Sequence, residues 1–165
     1  MTPSKKHDDI ELLLVKFMPL LARIAASYEF DSRLQEDLLQ DISLAVWRAL
    51  DSFKYDASIK TYIAKIAHNK GVDHTLKQKR HTQKLADFDD NTLTTSSSDN
   101  FQGQSQDEKL DLMTALERLS LKNRQVITMQ LEGFNYAEMA SILGTSEQAI
   151  TKRVGRARQA LAQWL

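Results

Sequence analysis

At 165 residues, with five glycines, two prolines and no cysteine, the chain has length for one ordinary domain or two small ones, and it excludes a disulfide framework and any thiolate metal site. Hydrophobic residues make up 42%, which suits a folded soluble protein; no apolar run is long enough to span a membrane, and the start MTPSKKHDDIELLL has acids where a secretory signal needs none. The net charge of zero is unevenly spread: residues 60–84 carry +6 and 112–165 carry +3, whereas 28–59 carry −4 and 85–111 carry −6. Two basic segments therefore offer two nucleic-acid surfaces, and the expected location is the cytoplasm, with no membrane insertion.

The first amphipathic stripe is Ile10, Leu13, Leu14, Phe17, Leu21 and Ile24. Pro19 interrupts it and predicts a kink or a restart, because proline lacks the amide proton and crowds the carbonyl four residues back. Ser32 with Gln35 has the spacing of a capping box for a helix over 33–53. That helix carries Leu34, Leu38, Ile42, Ala45, Ala49 and Phe53 on one face. Trp47 stands on the opposite side, near Glu36, Gln40 and Leu44. An acidic helix with apolar groups on both sides is either buried twice or docks on a partner.

Residues 54–58 read as a loop. A helix then starts near Ile59, with Ile59, Ile63, Ile66 and Ala67 facing inward, and runs into a basic end in which Gly71 costs up to ~1 kcal/mol relative to alanine. His68, His74 and His81 lie six and seven residues apart, not at the i, i+4 spacing of a helical metal pair, so they read as polar surface or phosphate contacts. From about His81 to Gln106 the apolar periodicity is lost in a Ser/Thr/Asn/Gln-rich stretch that reads as a linker, spanning ~25–30 Å as a coil.

Helical pattern returns at Glu108 with Leu110, Met113, Leu116 and Leu119. Ser120 can cap a further helix with Val126, Ile127 and Leu131, which Gly133 ends. The last stretch, NYAEMASILGTSEQAITKRVGRARQALAQWL, reads as a helix-turn-helix. Asn135 and Glu138 form a capping box, Gly144 permits the left-handed exit, and Thr145 or Ser146 caps the second helix. In that helix Ile150, Val154, Ala157, Leu161 and Trp164 form one apolar stripe. Gln148, Lys152, Gly155, Arg156 and Gln159 project away from it, with Thr151, Arg153 and Arg158 on the flanks, the face such helices lay in the DNA major groove.

The expected fold is all-α: two small helical domains joined by a flexible linker, over 1–81, 82–107 and 108–165, the last a helix-turn-helix. No phosphate-binding glycine loop, metal-ligand cluster or nucleophile beside a base–acid pair stands in the sequence, so neither an enzyme nor a cofactor is expected.

With the whole chain in view, ALERLSLKNRQVITMQLEGFNYAEMASILGTSEQAITKRVGRARQAL resembles the fourth region of bacterial sigma factors. EDLLQDISLAVWRAL at 36–50 is similar to their polymerase-binding second region, and TYIAKIAHNKGVDHTLKQKR at 61–80 to the adjoining segment that melts and reads the −10 element. Two such domains and a linker resemble the extracytoplasmic-function type. The resemblance implies that Asp37, Gln40, Asp41 and Leu44 contact the coiled coil of the largest polymerase subunit. It implies that Lys54, Tyr55, Tyr62, Lys65, Asn69 and Asp73 serve the −10 element, and the helix-turn-helix face the −35 element. The implied partners are core RNA polymerase and promoter DNA, and an anti-sigma factor is left open. Tyr62 stands where the family often has tryptophan, Ile59 where it often has phenylalanine, and Gly155 where a larger group is usual. Two other classes keep part of this pattern: a stand-alone helix-turn-helix regulator, which would bind promoter DNA tightly without polymerase, and a degenerate sigma-like antagonist.

Overall fold

The computed structural model describes residues 3–54, 58–88 and 104–165, and all regular structure among them is α-helical. The helices are α1 (Pro3–Tyr28), α2 (Ser32–Leu50), α3 (Ile59–Phe88), α4 (Gln104–Arg118), α5 (Leu121–Leu131), α6 (Tyr136–Leu143) and α7 (Glu147–Ala162). The first three pack on one another around Leu21, Ile24, Leu38, Ile42, Val46, Ile63 and Ala67. In the second body α7 packs on α5 and α6 around Val126, Met129, Met139, Ile150 and Val154.

Local signals account for most boundaries. Ser120 caps α5 by accepting from the Asn123 amide, and Asn135 with Glu138 closes a reciprocal capping box on α6. Gly144 leaves α6 at φ 63°, the left-handed region where a side chain is strained. Of the two candidates for the next cap, Ser146 takes the role and accepts from the Ala149 amide at 3.2 Å.

Elsewhere the structure departs from the expectation. The cap of α2 is Asp31, not Ser32: its carboxylate accepts from the amides of Arg33 and Leu34 at 2.9 and 3.3 Å. A carboxylate at a helix N-terminus also gains from the backbone dipole. Gln35 instead donates to the Glu29 carbonyl. The helix ends at Leu50 rather than at Phe53. α1 runs through Pro19 as one helix. Pro19 and Val15, four residues back, are both exposed, so the released carbonyl can turn to water. α3 continues to Phe88 and α4 starts at Gln104, both inside the stretch expected as linker. Leu131 is 61% exposed and Trp164 46% exposed, so neither belongs to the core. The side chain of Leu110 lies outside the described residues.

The two bodies also touch, where a tether suggested separation: α3 meets α6, and α1 meets α4 and α5. Tyr28, the last residue of α1, stands at this seam. Its ring crosses α3 at Gly71, where an added Cβ would meet ring atoms at 2.3–2.6 Å. Its hydroxyl bonds His68 Nδ1 at 2.7 Å, and the ring planes are at 71°. Burial raises the Tyr28 pKa well above its ordinary value, against a hydrogen bond from Gln125 and the nearby charge of Arg124, both on α5. His68 is thus a core residue, not the surface group expected. At 1% exposure its ring is held neutral, and burial pushes its pKa down to about 4.

Two outcomes follow from this packing. Gly71→Ala gains helix propensity but drives a methyl into the Tyr28 ring; a net loss of about 1–3 kcal/mol in urea unfolding is expected. His68 titrates near 6.5 unfolded and about 4 folded, so its contribution is complete above pH 6.5 and lost as pH falls toward 4. Unfolding measured at pH 7 and pH 5 should show this acid loss, up to roughly 3 kcal/mol at full titration, and His68→Asn should flatten it.

Candidate nucleic-acid interface

α7 is fixed from within by Ile150, Val154 and Ala157, all buried against the rest of the body. That anchoring turns Gln148, Thr151, Lys152, Gly155, Arg156 and Gln159 outward, and all six are exposed. Their spacing places them on one helical face. The Thr151 hydroxyl donates to the Glu147 carbonyl at 3.0 Å, which leaves its methyl and its acceptor lone pairs for a ligand. A Cβ built on Gly155 meets nothing within 4 Å, so packing does not demand glycine here. What the glycine supplies is a bare stretch of backbone between two cationic side chains, open to close approach.

On the first body, Lys65, Asn69 and Asp73 recur at steps of four and are exposed along α3. Lys54 is exposed at the mouth of the loop, and Tyr55 lies outside the described residues. Tyr62 is held differently from its neighbours. Its hydroxyl donates to the Ala49 carbonyl at 3.1 Å, and its ring centroid is 4.5 Å from that of Phe53. It therefore ties the base of the loop to the end of α2, with only part of its ring left exposed.

Asp37, Gln40, Asp41 and Leu44 are all exposed on α2. Beside them, Leu14 and Met18 of α1 with Leu39, Leu44 and Trp47 of α2 line a groove of about 500 Å³. The second apolar side of α2 is thus only half covered. An acidic rim around an apolar floor fits a partner helix that brings both cationic and apolar side chains.

Sequence reasoning missed Lys60. It is half-buried at the start of α3, where its ammonium donates to the Glu132 carbonyl at 3.0 Å and lies 4.6 Å from the centre of the Phe134 ring. No local pattern points to a partner 72 residues away. Of the three histidines weighed together, His68 is buried, His74 bonds Glu29 at 2.6 Å, and His81 is exposed. Among the described residues no three His, Asp or Glu side chains come together as a metal site would require.

Residues 13–81 match the family model for sigma-70 region 2, and residues 109–161 match that for sigma-70 region 4. The RNA polymerase sigma factor NccH of Alcaligenes xylosoxydans xylosoxydans is 33% identical over 88% of this chain and 80% of its own length. The ECF RNA polymerase sigma-E factor of Escherichia coli is 27% identical over 91% of this chain and 83% of its own. Among solved structures, the sigma factor RpoE of Bartonella quintana, held by the anti-sigma factor NepR, superposes with a TM-score of 0.74 at 27% identity, over 94% of this chain and 96% of that one. The chain therefore belongs to the sigma-70 family of RNA polymerase sigma factors, in its extracytoplasmic-function branch.

Proposed function

We infer that this chain is a dissociable sigma factor that binds core RNA polymerase in the cytoplasm and sets where transcription starts. In this reading α7 reads the −35 element, and the first body opens and reads the −10 element with Lys54, Tyr55, Lys65, Asn69 and Asp73. Tyr62 supports that loop from below. Residues 1–81, 82–107 and 108–165 act as the −10 unit, the connector and the −35 unit. The polymerase supplies the phosphoryl-transfer chemistry, and this chain supplies position.

The observation that carries the reading is the coexistence of two unlike surfaces on one chain: an exposed cationic face on α7 and an acidic, apolar-floored face on α2. A stand-alone regulator needs the first and has no use for the second. The anti-sigma factor bound to the Bartonella quintana relative makes such a protein a candidate partner here as well.

Core RNA polymerase mixed with the chain and a library of promoter fragments should give new, sequence-specific starts; DNA binding without starts would favour the stand-alone regulator. Arg156→Ala and Lys152→Ala should weaken use of the upstream element, by about 1–3 kcal/mol where the side chain reads a base. Where it contacts phosphate, the main change should be a shallower salt dependence. Unchanged promoter choice in both variants would remove α7 from this role. Asp41→Lys should lower affinity for core polymerase while leaving the helical circular dichroism intact, and normal affinity would move the docking surface elsewhere.

A further inference from the structure

We propose that the cleft between α1 and the α4–α5 pair is a binding site for a small phenol-type molecule, a neutral aromatic body carrying one hydroxyl. The cleft holds about 310 Å³, and it shares no lining residue with the groove beside α2. Its apolar walls are Ala26 of α1, Leu112, Met113 and Leu116 of α4, and Leu131 of α5. None of these belongs to the faces assigned to DNA. At ~30 Å³ for each water-sized group, the space takes a ligand of roughly ten non-hydrogen atoms. Pockets that hold small molecules begin at about this volume.

Ser27 and Thr128 bring buried hydroxyls to the same wall, and the two differ. Ser27 donates to the Ile24 carbonyl at 2.7 Å. Thr128 is 5% exposed, and among the described residues its hydroxyl has no hydrogen-bond partner. A threonine inside a helix can donate to the carbonyl four residues back, as Thr75, Thr82 and Thr151 do at 3.0, 2.9 and 3.0 Å. Thr128 lacks even that local bond. A buried hydroxyl without a partner has lost its hydration uncompensated, so a ligand hydroxyl brought to it restores a missing bond. Threonine and phenol can each donate or accept, so the pair can form in either sense. The remaining wall favours an aromatic ring. The Met113 sulfur suits a ring edge, and the Arg23 guanidinium can lie over a ring face. Arg23 is already held by the Glu132 carboxylate at 2.8 and 3.0 Å, so an anionic ligand gains little there and a neutral one fits.

Five methionines make the test direct, because Met113 lines the cleft and Met18 lines the groove beside α2. In nuclear magnetic resonance of the full chain with isotope-labelled methionine methyls, 4-propylphenol should move the Met113 signal saturably. Half-saturation should fall at roughly 0.1–1 mM, the range open to a ligand of this size. Met18 should stay still. Thr128→Val keeps the shape and removes the hydroxyl. It should weaken 4-propylphenol about fivefold and leave propylbenzene, which has no hydroxyl, within about twofold. The same change should raise the midpoint of thermal unfolding of the free chain by about 2–4 °C, because an unpartnered hydroxyl is lost. Ala26→Phe fills the cleft from α1 and should abolish the Met113 shift with both ligands. Leu112→Trp fills it from α4 and serves where the first variant loses its helical circular dichroism. No saturable shift at Met113, an equal shift at Met18, or a Thr128→Val variant that weakens both ligands alike would each overturn the site. A lowered unfolding midpoint in Thr128→Val would do so too, since the hydroxyl would then already be bonded. Neither polymerase nor DNA enters these measurements, so they decide the site separately from the function inferred above.

Discussion

One ring lying where one side chain is missing holds this molecule together. Tyr28 ends α1, and it can cross α3 only because Gly71 has no Cβ. From there its hydroxyl reaches His68 in the core of the first body, while its surroundings already include Gln125 and Arg124 of the second. A buried hydroxyl and a buried imidazole each lose hydration, and they recover part of it by bonding each other. Among the described residues His68 Nε2 has no hydrogen-bond partner, which adds to the cost of charging the ring. The glycine thus sets a ring position, the ring sets a neutral histidine, and the same ring fixes where the second body can lie.

Charge is arranged around this centre with a division of labour. Lys152 and Arg156 on α7 and Lys65 on α3 stand exposed to solvent, where a cation can exchange water for an anionic ligand. Cations that act on structure turn inward. Arg124 occupies carbonyls left open at the end of α4, and burial lowers its pKa, with Tyr28 and Glu117 nearby acting in the opposite direction. Arg23 is mostly exposed, yet its bond to Glu132 raises its pKa, as expected when the charged form is the bonded one. Sequence charge alone cannot sort these roles, because both kinds are simply Lys or Arg on a helix.

That limit shows how far the sequence is legible. Helix identity, the capping box of Asn135 and Glu138, the left-handed Gly144 and the outward face of α7 are local properties, fixed by neighbours within four residues, and they were readable. The choice of Asp31 over Ser32 turned on one residue of register, which pattern reading resolves poorly. Gly71 looked like a helix weakness because its reason sits 43 positions upstream, in Tyr28. His68 looked polar and solvated for the same reason. Lys60 and Glu132 were invisible as a pair: each has an ordinary local context, and only the tertiary arrangement of the two bodies brings them together.

The polar ties at the seam are of modest strength and stand beside apolar packing between the two bodies. An ion pair with one mostly exposed partner contributes little once solvent screening is counted, and a single carbonyl–ammonium bond is of the same order. Any partner that needs the bodies apart binds with an apparent affinity reduced by the open fraction, so each ~1.4 kcal/mol of closure costs tenfold.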